Sequence, residues 1–270
     1  MKTSNSNIVF ELEQATFAYP LGEPVLKDIN LSIYEGEMVS ILGVNGCGKS
    51  TLLKILAGAL CPQQGKFEAF GEPITEEVLS NDKSSKDYHR RVGFIFQDSD
   101  VQLFCSTAEE EIAFGLLQLG LSKDEVTGRI DDVYRLLNIE HLKNKAPFKL
   151  SGGEKKKVAL AAVLVMNPEI LILDEPTNGL DPRTQRWLVE LLIALNKAGK
   201  TLITSTHNLE LVQEISERAI LFNEQHTIIA DLPTAKLLSD IELLINANLV
   251  DEYYHRHDSP KHSHFHIHNY

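Results

Sequence analysis

Met38–Leu60 reads MVSILGVNGCGKSTLLKILAGAL, and the order of its parts decides the fold. Met38–Leu42 is a near-continuous apolar run, which suits a strand buried on both faces, and LLKILAGAL carries apolar residues at helical spacing. Between them Gly43, Val44, Asn45, Gly46, Cys47, Gly48, Lys49 and Ser50 satisfy the GxxxxGK(S/T) pattern in the strand, turn and helix setting that it requires. Glycines let successive backbone N–H groups curl around a β-phosphate, and the helix N-terminus adds the positive end of its dipole. In this pattern Lys49 reaches the β/γ oxygens, Ser50 ligates Mg2+, and Thr51 belongs to the same phosphate-facing set. The expectation is a nucleoside triphosphate site in an α/β fold with a mainly parallel sheet.

Two further runs read as buried strands. ILILDEP, Ile170–Pro176, places a carboxylate pair at a strand's carboxyl end, where ligands of open α/β sheets sit. Asp174 is expected to hold the Mg2+ shell and Glu175 to polarise an attacking water, because phosphoryl transfer needs positioning and charge compensation. TLITST, Thr201–Thr206, is the other run, preceded by a helix that Asp181 caps and Pro182 starts. Upstream, alternating stretches from Ile8 to Ile33 read as antiparallel strands bounded by Pro20, Gly22 and Pro24. From about 98 to 150 the composition turns helical, with capping boxes at Thr107/Glu110 and Ser122/Glu125, and reads as an inserted helical subdomain. AILF and HTIIA read as a hairpin, followed by one helix from about Thr234 to Leu249. The domain is thus read as 1–249 and the remainder, 250–270, as a histidine-rich tail.

Composition narrows the partners. The 270 residues are 43% apolar, enough for a real core, and Lys+Arg 26 against Asp+Glu 38 gives a formal charge of −12. That sign repels a phosphate backbone, so no nucleic acid partner is expected. No secretory leader is read at the start, and the longest apolar run, Val158–Met166, is about half of the roughly twenty residues a membrane span needs. Cys47, Cys61 and Cys105 fall in no CxxC pairing, which suits a reducing, cytosolic setting. Cys47, if accessible, should make the activity sensitive to thiol alkylation unless nucleotide is bound.

LSGGE, Leu150–Glu154, is a second glycine pair opening a helix, hence a second anion-binding end in one chain. With the Gly43–Ser50 loop before it and ILILDEP after it, the chain resembles the ATP-binding-cassette (ABC) ATPases over roughly Ile8 to Leu249. That resemblance implies the ABC ATPase fold, with an N-terminal antiparallel β subdomain, and ATP and Mg2+ as cofactors. It also implies that Ser151, Gly152, Gly153 and Glu154 of one subunit close over nucleotide held by another, a homodimer or a pair with a sister ATPase. By the same resemblance Tyr19 stacks on adenine, Gln97 touches Mg2+ and senses a membrane partner, His207 contacts the γ-phosphate and Asp181 bridges subunits. Glu154 and Lys157 stand where many relatives have Gln and Arg, and Cys47 where Ser or Ala is common; none of these removes a phosphate donor.

ABC proteins of DNA metabolism place a long coiled coil between these motifs, and no sustained heptads lie between Lys49 and Ser151. Translation-factor relatives carry two cassettes per chain, and this one has a single set. FQDSDVQLFCSTAEEEIAFGLLQLGLSKDEV instead looks like the ATPases of energy-coupling-factor importers, including the cobalt/nickel type, with Gln97, Leu103 and Phe104 forming an apolar groove for helices of an integral membrane subunit. The resemblance implies a peripheral protein on the cytoplasmic face of the membrane, driving uptake of a transition metal ion; vitamin import is the alternative, and a soluble non-transport ATPase a more distant one. The closing HRHDSPKHSHFHIHNY aligns His262, His264, His266 and His268 on one side of an extended chain, and imidazole suits Ni2+ and Co2+. The tail reads as a metal-storing or metal-sensing appendage, as a solvated end without a physiological ligand, or as an adventitious chelator of the kind any histidine-rich tag makes.

Overall fold

The computed structural model describes residues 7–250. Its strands are β1 Ile8–Ala18, β2 Pro24–Tyr34, β3 Met38–Leu42, β4 Gln64–Ala69, β5 Glu72–Pro73, β6 Val92–Ile95, β7 Ile170–Asp174, β8 Thr201–Thr206, β9 Arg218–Phe222 and β10 Ile228–Pro233. Its helices are α1 Lys49–Leu56, α2 Glu76–Ser80, α3 Asp82–Arg91, α4 Ser99–Gln102, α5 Ala108–Leu117, α6 Lys123–Leu137, α7 Gly152–Leu164, α8 Pro182–Lys197, α9 Leu209–Ile215, α10 Thr234–Ser239 and α11 Ile241–Asn246. A six-stranded sheet runs β10-β9-β3-β8-β7-β6, parallel except for the antiparallel edge strand β10. A four-stranded antiparallel sheet runs β2-β1-β4-β5.

The unbroken apolar strands follow from this layering. Along β7, Ile170 and Ile172 enter the core shared with the antiparallel sheet and α1, while Leu171 and Leu173 enter the core beneath α5, α6, α7 and α8. Successive side chains of a strand point to opposite faces, so a strand with a core on each side must be apolar at both parities. The same division places Ile203 and Leu202 of β8 in opposite cores.

Both capping boxes form as read, at Thr107/Glu110 and Ser122/Glu125, and Asp181 caps α8 with Pro182 in its first turn. Three features differ from the sequence reading. The helix expected over Thr234–Leu249 is two, because Asp240 leaves helical backbone angles (φ −90°, ψ 83°) and accepts from Leu243 N as the cap of α11. Strands β4 and β5 and helices α2 and α3 lie in a stretch too polar to show its periodicity. Among them Tyr88 of α3 is buried and donates to the Leu56 carbonyl at 2.6 Å, locking α3 onto the end of α1. Finally, Leu103 is buried in the helical core, while its neighbour Phe104 is exposed.

Candidate nucleotide site

The glycine loop leaves the carboxyl end of β3 and turns into α1 at Gly48, which has φ +115°. A Cβ there would lie 2.4 Å from the Val25 carbonyl oxygen, so only glycine fits both the angle and the space. Lys49, 6% exposed, folds its ammonium onto the loop, donating to the Gly43 carbonyl at 2.7 Å and the Val44 carbonyl at 3.0 Å. The Lys49 Nζ also lies 3.9 Å from Glu175 Oε1. His207 Nδ1 stands 2.9 Å from the same oxygen, and since a carboxylate only accepts, Nδ1 carries the proton. Lys49, Glu175 and His207, from α1, the end of β7 and the end of β8, therefore form one connected charge cluster.

Glu175 adopts φ +42°, a strained value for a residue with a side chain. Its N–H is held by both the carbonyl (3.1 Å) and the hydroxyl (3.2 Å) of Ser205. Ser205 pairs in register with Asp174, and its hydroxyl donates to Asp174 Oδ1. The acidic pair is thus oriented by a fully buried hydroxyl on the neighbouring strand, a residue the sequence reading missed. Three consecutive polar residues, Thr204–Thr206, in a buried strand were the available signal. Among the described residues no three His, Cys, Asp or Glu side chains gather into an ion cage. Mg2+ sites commonly use one or two protein oxygens plus substrate phosphates, a donor set that Ser50 and Asp174 fit.

Cys47 is 1% exposed, and burial pushes its thiol up against a smaller opposing effect from Lys49. The condition for thiol sensitivity, an accessible Cys47, is therefore not met: Cys47 points inward and lies against Gly43.

Tyr19 is 41% exposed, stands edge-on to Phe17 with ring centroids 5.1 Å apart, and has its hydroxyl 3.3 Å from Thr51 Oγ1. Thr51 thus faces the tyrosine. The Gln63 amide clamps Ala18, accepting from its N–H and donating to its carbonyl, both at 2.8 Å, which fixes where β1 releases Tyr19.

Gln97 follows β6 and is exposed. Its carbonyl and that of Phe96 each accept from Lys156 Nζ at 3.1 Å. Lys156 is 2% exposed, and burial lowers its pKa to about 8, with Asp98 and Asp174 opposing that shift. Lys155 pairs with Asp100 at 2.5 Å, and Gln102 donates to the Ala159 carbonyl at 3.1 Å. Side chains on α7 thereby bind the segment around Gln97, another link that sequence spacing did not reveal.

Ser151 caps α7, and Glu154 closes the box by accepting from the Ser151 N–H (2.8 Å) and hydroxyl (2.9 Å). These bonds hold the Glu154 carboxyl below the ordinary range. Glu154 thus serves its own helix start and Lys145. Asp181 is likewise engaged by Arg183 N, Thr184 N and the Thr184 hydroxyl. Among the described residues no hydrogen bond or ion pair joins Ser151–Glu154 to Gly43–Thr51; α1 packs on β2, β7 and β8, and α7 on α4, α5, α6 and β6. The two glycine-opened helix ends thus sit on helices with different packing partners and share no hydrogen bond or ion pair among the described residues.

A cleft of about 570 Å3 lies between α3, β6, α5 and α7, floored by Phe94, Phe96, Phe114 and Met166. Beside it Phe104 and Phe114 stand edge to face at 5.0 Å, with Phe104 66% exposed. The buried Glu111 carboxylate accepts from Phe104 N (2.9 Å) and Cys105 N (2.7 Å), fixing the turn that presents that ring. Among the described residues no helix is long and apolar enough to cross a membrane. His262, His264, His266 and His268 lie outside the described residues.

A family profile described as ABC transporter matches residues 26–178. A putative ABC transporter ATP-binding protein of Clostridium acetobutylicum is 49% identical, covering 90% of this chain and 100% of that protein. The nickel import ATP-binding protein LarO of Lactiplantibacillus plantarum is 46% identical, over 78% of this chain and 88% of its own length. Among solved structures, cbiO1 of Clostridium perfringens, part of the ABC transporter complex cbiONQ, superposes with a TM-score of 0.77 at 35% identity, covering 90% of this chain and 95% of that one. The ATP-binding cassette MJ0796, solved as a dimer bound to ADP and Pi, gives a TM-score of 0.75 at 31% identity, covering 83% and 98%.

Proposed function

Since the chain belongs to the ABC transporter ATPase family, we propose that it works as the ATP-hydrolysing subunit of an importer, peripheral on the cytoplasmic face of the membrane, with nickel or cobalt as cargo. The observation that carries the two-subunit part of this reading is that, among the described residues, no hydrogen bond or ion pair joins the two glycine-opened helix ends of one chain, which lie on helices with different packing partners. Nucleotide held on Gly43–Thr51 of one subunit meets Ser151–Gly153 of a second, which adds a second set of helix-start N–H donors. The 46% identity to a nickel import ATP-binding protein supports the cargo.

On arrival of ATP, Lys49 exchanges the Gly43 and Val44 carbonyls for β/γ oxygens, and Tyr19 stacks on the adenine. Glu175 is oriented by His207 and by the Ser205 hold on its N–H, so it accepts a hydrogen bond from the attacking water and His207 reaches the γ-phosphate. Ser50, Asp174 and Gln97 would hold Mg2+, which supplies charge compensation to the phosphates when bound. Because Lys156 ties the Gln97 segment to α7, displacement at the γ-phosphate moves the helical subdomain. The apolar cleft beside Phe104 and Phe114 takes an amphipathic helix of an integral membrane subunit, as helix-in-groove docking needs an apolar floor. Asp181, at the head of α8, lies on the bridge between subunits.

Replacing Glu175 with Gln should leave ATP binding intact, abolish turnover and trap a dimer on size exclusion with ATP and Mg2+. A variant that stays monomeric under saturating ATP, or that hydrolyses at the parental rate, sinks the proposal.

A further inference from the structure

His226 lies between β9 and β10 with φ +68°, a left-handed conformation that a side chain makes costly. The turn holds it there. Asn223 N donates to the Thr227 carbonyl at 3.1 Å, His226 N to the Asn223 carbonyl at 3.2 Å, and both Thr227 N and Oγ1 to Asn223 Oδ1 at 3.0 Å. The His226 carbonyl accepts from Lys27 N of β2 at 3.0 Å, so the residue is fixed between the two sheets. From this anchored backbone the imidazole reaches the glycine loop, with Nδ1 3.1 Å from the Cys47 carbonyl oxygen. A carbonyl only accepts, so Nδ1 is the donor.

The bond falls on a peptide unit whose second residue is a glycine. Gly48 has no side chain to pack, and its φ of +115° lies where glycine alone is at ease. In a trans peptide the C=O and N–H of one unit point in opposite directions. Drawing the Cys47 oxygen toward His226 therefore points the Gly48 N–H away from His226. We propose that His226 is a positioning residue for nucleotide binding: it grips the Cys47–Gly48 peptide from behind and holds its N–H ready for a phosphate oxygen. The inference rests on reading Gly43–Thr51 as the phosphate-binding loop. It also accounts for a strained histidine where glycine would relax the turn.

Strain and function separate in the test. In the full chain, His226→Gly relieves the backbone and removes the donor, so it should melt at or above the parental temperature. Its Kd for ATP, measured by calorimetry with Mg2+, should weaken roughly threefold to tenfold, the range of one net hydrogen bond. KM for ATP should rise by the same factor, with kcat carrying the smaller share of the loss. Parental ATP affinity in His226→Gly, alongside lost binding in Lys49→Ala, overturns the inference and leaves the loop reading standing. Parental affinity in Lys49→Ala overturns both.

Discussion

Ser205 offers the sharpest test of how the acidic pair is held. Its hydroxyl is fully buried on β8, donates to Asp174 Oδ1 and accepts from Glu175 N at 3.2 Å. In Ser205→Ala the Glu175 N–H keeps the Ser205 carbonyl at 3.1 Å, so that loss is small. The Asp174 bond has no such substitute, since the carboxylate is 6% exposed and has no other hydrogen-bond donor among the described residues. A hydrogen bond to a charged group contributes about 1.5–3 kcal/mol. For a domain of this size, about 2–4 °C of Tm per kcal/mol converts that loss to a fall of roughly 3–12 °C, read by thermal unfolding without nucleotide. A freed Asp174 also presents Mg2+ with a mobile ligand, and loss of such an orienting partner costs about 10–100-fold in metal affinity. The Mg2+ concentration for half-maximal ATPase should therefore rise at least about tenfold. A Ser205→Ala protein with parental Tm and parental Mg2+ dependence would show that the hydroxyl orients nothing.

Two further outcomes follow from burial. Lys156 has its pKa lowered from the ordinary 10.5 to about 8, mainly by burial. Between these pH values the unfolded chain still binds a proton that the folded chain has released, so stability rises with pH across that window, by up to about 3 kcal/mol. Lys156→Met should lack this rise in urea unfolding at pH 7.5 and 10, and an identical pH dependence in both proteins would refute the burial argument. Cys47, 1% exposed, should react with iodoacetamide far more slowly than the half-buried Cys61, with or without ATP; rapid labelling of Cys47 in the native protein would contradict its inward placement.

The sequence by itself determined what depends on neighbours along the chain. The Gly43–Ser50 loop, the acidic pair after β7 and the caps at Thr107, Ser122 and Asp181 are local, because glycine's conformational freedom and an N-cap's reach act within a few residues. The buried strands were legible because a strand sandwiched between two cores must be apolar at every position. Only the tertiary structure decided that Ser205 holds Asp174, that Lys156 seals the Gln97 segment to α7, that Cys47 faces inward and that His226 grips the loop. The three hydrogen-bonded links join residues far apart in sequence: 31 positions separate Ser205 from Asp174, 59 Lys156 from Gln97 and 179 His226 from Cys47. Such contacts leave no periodic trace, since a lone hydroxyl, ammonium or imidazole reads as polar surface until packing places it against a partner that must be satisfied.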